Sequence, residues 1–107
     1  MAYNSIIVER KEHVGIIILN RPDHFNTFST ELATELNQAL VELDNDDTIR
    51  VAVVKGVGKA FSTGIDISEF FGKSLLEYRE WVGKMEQMNH VIGYMKKPVI
   101  ASVHGYA

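Results

Sequence analysis

Apolar positions group into four short β-branched runs and two longer stretches of helical period. Ile6-Ile7-Val8-Glu9-Arg10 and Val14-Gly15-Ile16-Ile17-Ile18-Leu19 flank Lys11-Glu12-His13, a pattern that predicts an antiparallel hairpin with a short polar loop. Asn20-Arg21-Pro22-Asp23-His24-Phe25-Asn26 is punctuated by proline and Asn/Asp and reads as a loop. From about residue 29 to 43, Leu32, Leu36, Leu40 and Leu43 recur on one helix face. Ser29 or Thr30 serves as the N-cap, Glu31 sits in the first turn, and Asp44-Asn45-Asp46-Asp47 ends the helix. Val51-Ala52-Val53-Val54 is apolar without alternation, the signature of a strand covered on both faces.

A second helix is predicted from about residue 75 to 95, with Tyr78, Trp81, Val82, Met85, Met88, Ile92 and Met95 as its apolar stripe. Lys96-Lys97 suits its C-terminal dipole and Pro98 stops it. Val99-Ile100-Ala101-Ser102-Val103 is the fourth strand. The order β-β-α-β-α-β places helices between the later strands, so those strands should pair in parallel within one α/β unit spanning residues 1–107. That stripe is read as core or subunit interface.

Composition narrows the function. A net charge of −3 leaves no basic footprint for nucleic acid or an anionic membrane surface. Without cysteine there is no disulfide, thiol nucleophile or zinc–cysteine site, and His13, His24, His90 and His104 share no ligand spacing, so no metal is expected. No apolar run is long enough to span a bilayer, and the first residues carry no targeting pattern. The cytoplasm is the expected location.

Three segments could carry chemistry. Lys55-Gly56-Val57-Gly58-Lys59-Ala60 follows a strand but lacks phosphate-loop spacing and the Ser/Thr after the lysine, so it reads as a tight turn. Ser62 and His104 lack a nucleophile-elbow pattern and an orienting acid. Lys59-Ala60-Phe61-Ser62-Thr63-Gly64-Ile65-Asp66-Ile67 differs. It leaves a strand, passes through a glycine and enters a helix at Asp66, an N-cap that Glu69 would complete as a capping box. Such a junction aims free backbone N–H groups at one place, and Ile65 N–H is the donor expected to face an oxygen that becomes anionic.

Read with its companions, this segment resembles the crotonase family, the enoyl-CoA hydratases and isomerases. Ile18-Leu19-Asn20-Arg21-Pro22, Asn26 and Glu35-Leu36 through Leu40 look like the family's opening. Ala60-Phe61-Ser62-Thr63-Gly64-Ile65-Asp66-Ile67 looks like its oxyanion-loop motif, and Lys97-Pro98-Val99-Ile100-Ala101-Ser102-Val103-His104-Gly105-Tyr106-Ala107 like its next signature. The resemblance covers essentially the whole chain and implies the N-terminal portion of a crotonase-like spiral of ββα units. It further implies an acyl-CoA substrate, with coenzyme A entering as a thioester rather than as a cofactor.

The resemblance makes Ile65 N–H one of two oxyanion donors. It places CoA against Thr63, Gly64, Ile65 and Asp66, with His24 and Phe25 at the mouth of the site. The second donor and the acid–base glutamates are expected beyond Ala107, which implies that these residues alone are inactive. It also implies a homo-oligomer, a trimer or dimer of trimers. Two other readings stand beside it: a non-catalytic binding or oligomerisation module, and a relative with another acyl-CoA chemistry such as hydrolysis, dehalogenation or decarboxylation. Ile65 stands where the family commonly has alanine, which would narrow the acyl pocket. Asp23 and Ser68 stand where many relatives have lysines, which weakens the expected grip on the CoA phosphates.

Overall fold

The computed structural model describes residues 2–107. Its elements are β1 (Ile6–Lys11), β2 (Val14–Leu19), α1 (Thr30–Asp44), β3 (Val51–Gly56), α2 (Leu75–Tyr94) and β4 (Val99–Ala101). Single 3₁₀ turns at Pro22–His24 and Ile67–Phe70 interrupt the two long loops. The strands form one sheet in the order β1-β2-β3-β4. β1 and β2 are antiparallel, whereas β3 lies parallel to both β2 and β4, as helical crossovers require.

One sheet face is closed by α1. Ile6, Ile17, Leu19, Ala52 and Val54 are buried with Leu32, Leu36, Leu40 and Leu43 of the helix. The approach is close at Gly15, where an added Cβ would stand 2.6 Å from a Leu43 methyl group. A side chain there would force the helix off the sheet. α2 packs on α1, so α1 lies between the sheet and α2. Ser29 caps α1 by accepting from Leu32 N–H at 3.1 Å.

Several sequence expectations change in three dimensions. β3 alternates buried and half-buried positions, because helices cover only one face of this sheet. β4 stops at Ala101, and Ile100 and Val103 are exposed rather than core. Within the α2 stripe only Trp81, Met85 and Met88 are buried, while Tyr78 and Ile92 remain about two-fifths exposed (41% and 40%). Lys97 serves the other helix: its Nζ donates to Leu43 O and Asp46 O at the C-terminal end of α1. Asp44 returns the contact, accepting from Lys96 N–H and Lys97 N–H.

Candidate oxyanion site

The loops that follow β2 and β3 leave the C-terminal ends of adjacent parallel strands, the edge where open α/β sheets place ligands. Asn26 joins them. It is fully buried in a left-handed conformation (φ 54°), which asparagine tolerates better than most residues. Its Oδ1 accepts from Arg21 N–H at 2.7 Å, and its Nδ2 donates to Val57 O and Ala60 O at 2.9 Å each. Gly56 is obligatory beside it, since an added Cβ would lie 2.6 Å from Phe61 O and 2.9 Å from Asn26 Nδ2.

The segment after Ser62 is held by its neighbours on both sides. Ser62 is buried, and its Oγ accepts from Gly64 N–H at 3.2 Å, while Thr63 N–H donates to Phe25 O. Gly64 takes φ 101°, a conformation costly for any residue with a side chain. Ile65 then pairs with Phe28 as an isolated parallel bridge. Phe28 N–H donates to Gly64 O at 2.8 Å and Asp66 N–H donates to Phe28 O at 3.1 Å. In a parallel bridge this pattern turns the central residue's own amide to the opposite side. Ile65 N–H accordingly has no hydrogen-bond partner among the described residues, and its side chain is 45% exposed.

Asp66 fixes the exit from that bridge. Its Oδ1 accepts from Ser68 N–H at 3.1 Å and Ser68 Oγ–H at 2.6 Å, and its Oδ2 meets Arg21 Nη2 at 3.3 Å. The Ser68 hydroxyl foremost, with the Ser68 amide and the Arg21 guanidinium, holds this carboxyl below its ordinary pKa of 3.8 against the opposing effect of burial. Asp66 is thus the N-cap that the sequence predicts, but of a single 3₁₀ turn.

Glu69 does not complete a capping box with it. Its Oε1 instead accepts from Thr30 N–H, Thr30 Oγ–H and Trp81 Nε1–H. The complete capping box lies at Ser74 and Glu77, at the start of α2.

The residues from 104 to 106 close the third side. Phe61 N–H donates to His104 O and Tyr106 O, Tyr106 N–H donates to Lys59 O, and the Tyr106 ring meets Phe25 edge-on at 6.3 Å. His104 Nε2 pairs with Gly58 O at 2.7 Å, and Ser62 Oγ is engaged by Gly64. Neither residue's contacts place it as nucleophile or base for the other.

The Enoyl-CoA hydratase/isomerase family model matches residues 9–107. The chain belongs to that family. It is 32% identical to the crotonyl-CoA hydratase of Syntrophomonas wolfei over the whole of this chain and 42% of that protein. It is 34% identical to the carboxymethylproline synthase of Pectobacterium carotovorum, covering 95% of this chain and 42% of that one. The solved enoyl-CoA hydratase/isomerase of Xanthobacter autotrophicus superposes with a TM-score of 0.90 at 30% identity, over 97% of this chain and 40% of that structure. The chain therefore spans about two-fifths of the length of these relatives.

The crotonase-type α/β fold read from the sequence is borne out by these likenesses. Of the residues singled out in the sequence, Phe25, Thr63, Gly64, Ile65 and Asp66 come together around the two crossing loops. His24 is adjacent but exposed, its carbonyl accepting from Thr27 N–H just past the 3₁₀ turn. Three contributors were not singled out for the site: the Asn26 side chain, the Arg21 guanidinium and Glu69. The first two stand in the stretch that the resemblance quotes, yet their reach to residues 57–66 is a property of the fold. Among the described residues, no group of three or more His, Asp or Glu side chains is placed to hold a metal ion, and no helix is long and apolar enough to cross a membrane.

Proposed function

We propose that this enoyl-CoA hydratase/isomerase-family chain carries one half of an oxyanion hole, with Ile65 N–H donating to the carbonyl oxygen of an acyl-CoA thioester. The observation that carries this reading is the unpartnered Ile65 amide, turned away from Phe28 by the parallel bridge and fixed by Gly64 and Asp66. In the transition state such a donor stabilises the negative charge of a thioester enolate more than it stabilises the ground-state carbonyl. Thr63 and Gly64 backbone and the Phe25 ring would flank the bound CoA, with His24 at the rim.

A hydratase or isomerase reaction needs a second donor and an acid–base carboxylate. Loss of one oxyanion donor typically lowers kcat by ~10²–10³, and loss of acid–base catalysis by a further ~10²–10⁴. Residues 1–107 by themselves should therefore bind a thioester without turning it over. The parent reaction is hydration or isomerisation of an enoyl-CoA double bond.

The test is a ¹H–¹⁵N titration with butyryl-CoA, a saturated thioester, beside free CoA. The Ile65 amide proton should move downfield with butyryl-CoA and stay in place with CoA. Saturable butyryl-CoA binding that leaves the Ile65 amide unmoved would sink the assignment.

A role in assembly is a second reading, favoured by one observation. Ile7, Ile100 and Val103 are 42%, 53% and 57% exposed around the uncovered sheet face and its last strand. Buried against another chain, these side chains would favour a homo-oligomer. Light scattering across a concentration series that shows only monomer removes this reading.

A further inference from the structure

We propose that Glu69 is a positioning residue for the Ile65 amide, acting as a carboxylate clamp between the turn after the oxyanion loop, the start of α1 and Trp81 of α2. The inference rests on the assignment of Ile65 N–H as a thioester donor. Two segments run side by side here, residues 28–30 and residues 65–69. At one end they are joined through backbone, by the Phe28–Ile65 bridge. At the other end they are joined through the Glu69 side chain, whose Oε1 takes Thr30 N–H at 2.9 Å and Thr30 Oγ–H at 3.1 Å.

The same oxygen takes Trp81 Nε1–H at 3.0 Å, and Trp81 is buried in the packing between α1 and α2. Glu69 is coupled back to the loop through its own amide, which donates to Asp66 O at 3.2 Å. A closed frame results: Phe28, Ile65, Asp66, Glu69 and Thr30, with only Ser29, the α1 N-cap, in the gap.

Two physical points make the carboxylate more than a packing contact. Thr30 N–H is one of the orphan donors of the first turn of α1, so an anionic acceptor there also meets the positive end of the helix dipole. A bridge of one residue pair has little stiffness of its own, and a misplacement of about 1 Å at an oxyanion donor can lower rates by roughly 10²-fold. Pinning both ends of the paired segments removes the hinge that would let the Ile65 amide swing. Three donors on one charged oxygen give that pin its strength.

The experiment compares wild type, Glu69→Gln and Glu69→Ala in the 107-residue chain, first without ligand and then with butyryl-CoA or free CoA. Glutamine keeps the Oε1 acceptor without the charge, so it should leave the Ile65 amide in place and move the Thr30 amide and the Trp81 indole less than alanine does. Alanine should move all three and weaken butyryl-CoA binding by roughly tenfold or more, with free CoA affinity unchanged.

A Glu69→Ala spectrum in which Thr30 and Trp81 move but Ile65 does not would overturn the proposal, as would equal losses of affinity for both ligands. If the wild-type Ile65 amide ignores butyryl-CoA, the donor assignment falls, while the ligand-free spectra still decide whether Glu69 positions Ile65. Should Glu69→Ala fail to fold, Glu69→Met keeps the bulk without the acceptor and is read in the same way.

Discussion

Arg21 and Asp66, 45 residues apart in sequence, meet at 3.3 Å with side chains only 17% and 15% exposed. The same guanidinium donates through Nη1 to Thr27 O and Thr27 Oγ1. One arginine thereby ties the loop after β2 to the turn that follows the Ile65 amide. Asp66→Asn retains an acceptor for Ser68 but removes the charge opposite Arg21. Such a pair lies between the exposed and fully buried cases, so unfolding free energy should fall by about 1–2 kcal/mol in urea denaturation. Butyryl-CoA binding should weaken with it, and a variant as stable as wild type would show that the pair holds nothing.

Asn26→Ala should be among the most damaging single substitutions. It strands the Arg21 amide and the Val57 and Ala60 carbonyls around a fully buried site, and puts alanine at a positive φ. Unsatisfied buried groups cost about 1–3 kcal/mol each, so a loss of roughly 3 kcal/mol or more is expected from the urea midpoint. A loss under about 1 kcal/mol would mean that water replaces the amide without penalty.

Two glycines of the site should divide their costs differently between stability and binding. At Gly56 a methyl group meets Phe61 O at 2.6 Å, so Gly56→Ala should destabilise by about 1–3 kcal/mol through overpacking. At Gly64 nothing lies within 4 Å of an added Cβ, and only the φ of 101° resists, which costs about 1–2 kcal/mol. Gly64→Ala should cost less stability yet more thioester binding, because it turns the peptide next to Ile65. Calorimetry and thermal melts on both variants would reveal a reversed order.

Acid should unfold the protein partly through Asp46. Thr48, through its hydroxyl and then its amide, and Arg10 bring this carboxyl from 3.8 down to about 2. Because the folded-state value is the lower one, the stabilisation is complete above about pH 4 and disappears as the pH falls through about 2. Thermal midpoints should drop over that window, and Asp46→Asn should flatten the drop while lowering stability at neutral pH. Parallel pH curves for the two proteins would contradict this.

The sequence by itself determined the element order, the leucine face of α1 and the family, and narrowed the α1 cap to Ser29 or Thr30, because each is written in short-range periodicity or in contiguous motifs. It also located the Gly64-Ile65-Asp66 junction, since a glycine at positive φ before an acidic cap is a local signal. Partner choice was decided only by the tertiary structure.

Glu69 is three residues from Asp66 in the spacing of a capping box, yet its carboxylate belongs to Thr30 and Trp81, which the packing of α1 and α2 brings within reach. Lys97 follows α2 in sequence but caps α1, because β4 returns beside the end of that helix. The alternation of β3 depends on which sheet face a helix covers, a matter of layers that four apolar residues in a row do not encode. Sequence periodicity reports what each segment buries, whereas hydrogen-bond partners dozens of residues apart are set by how the segments stack.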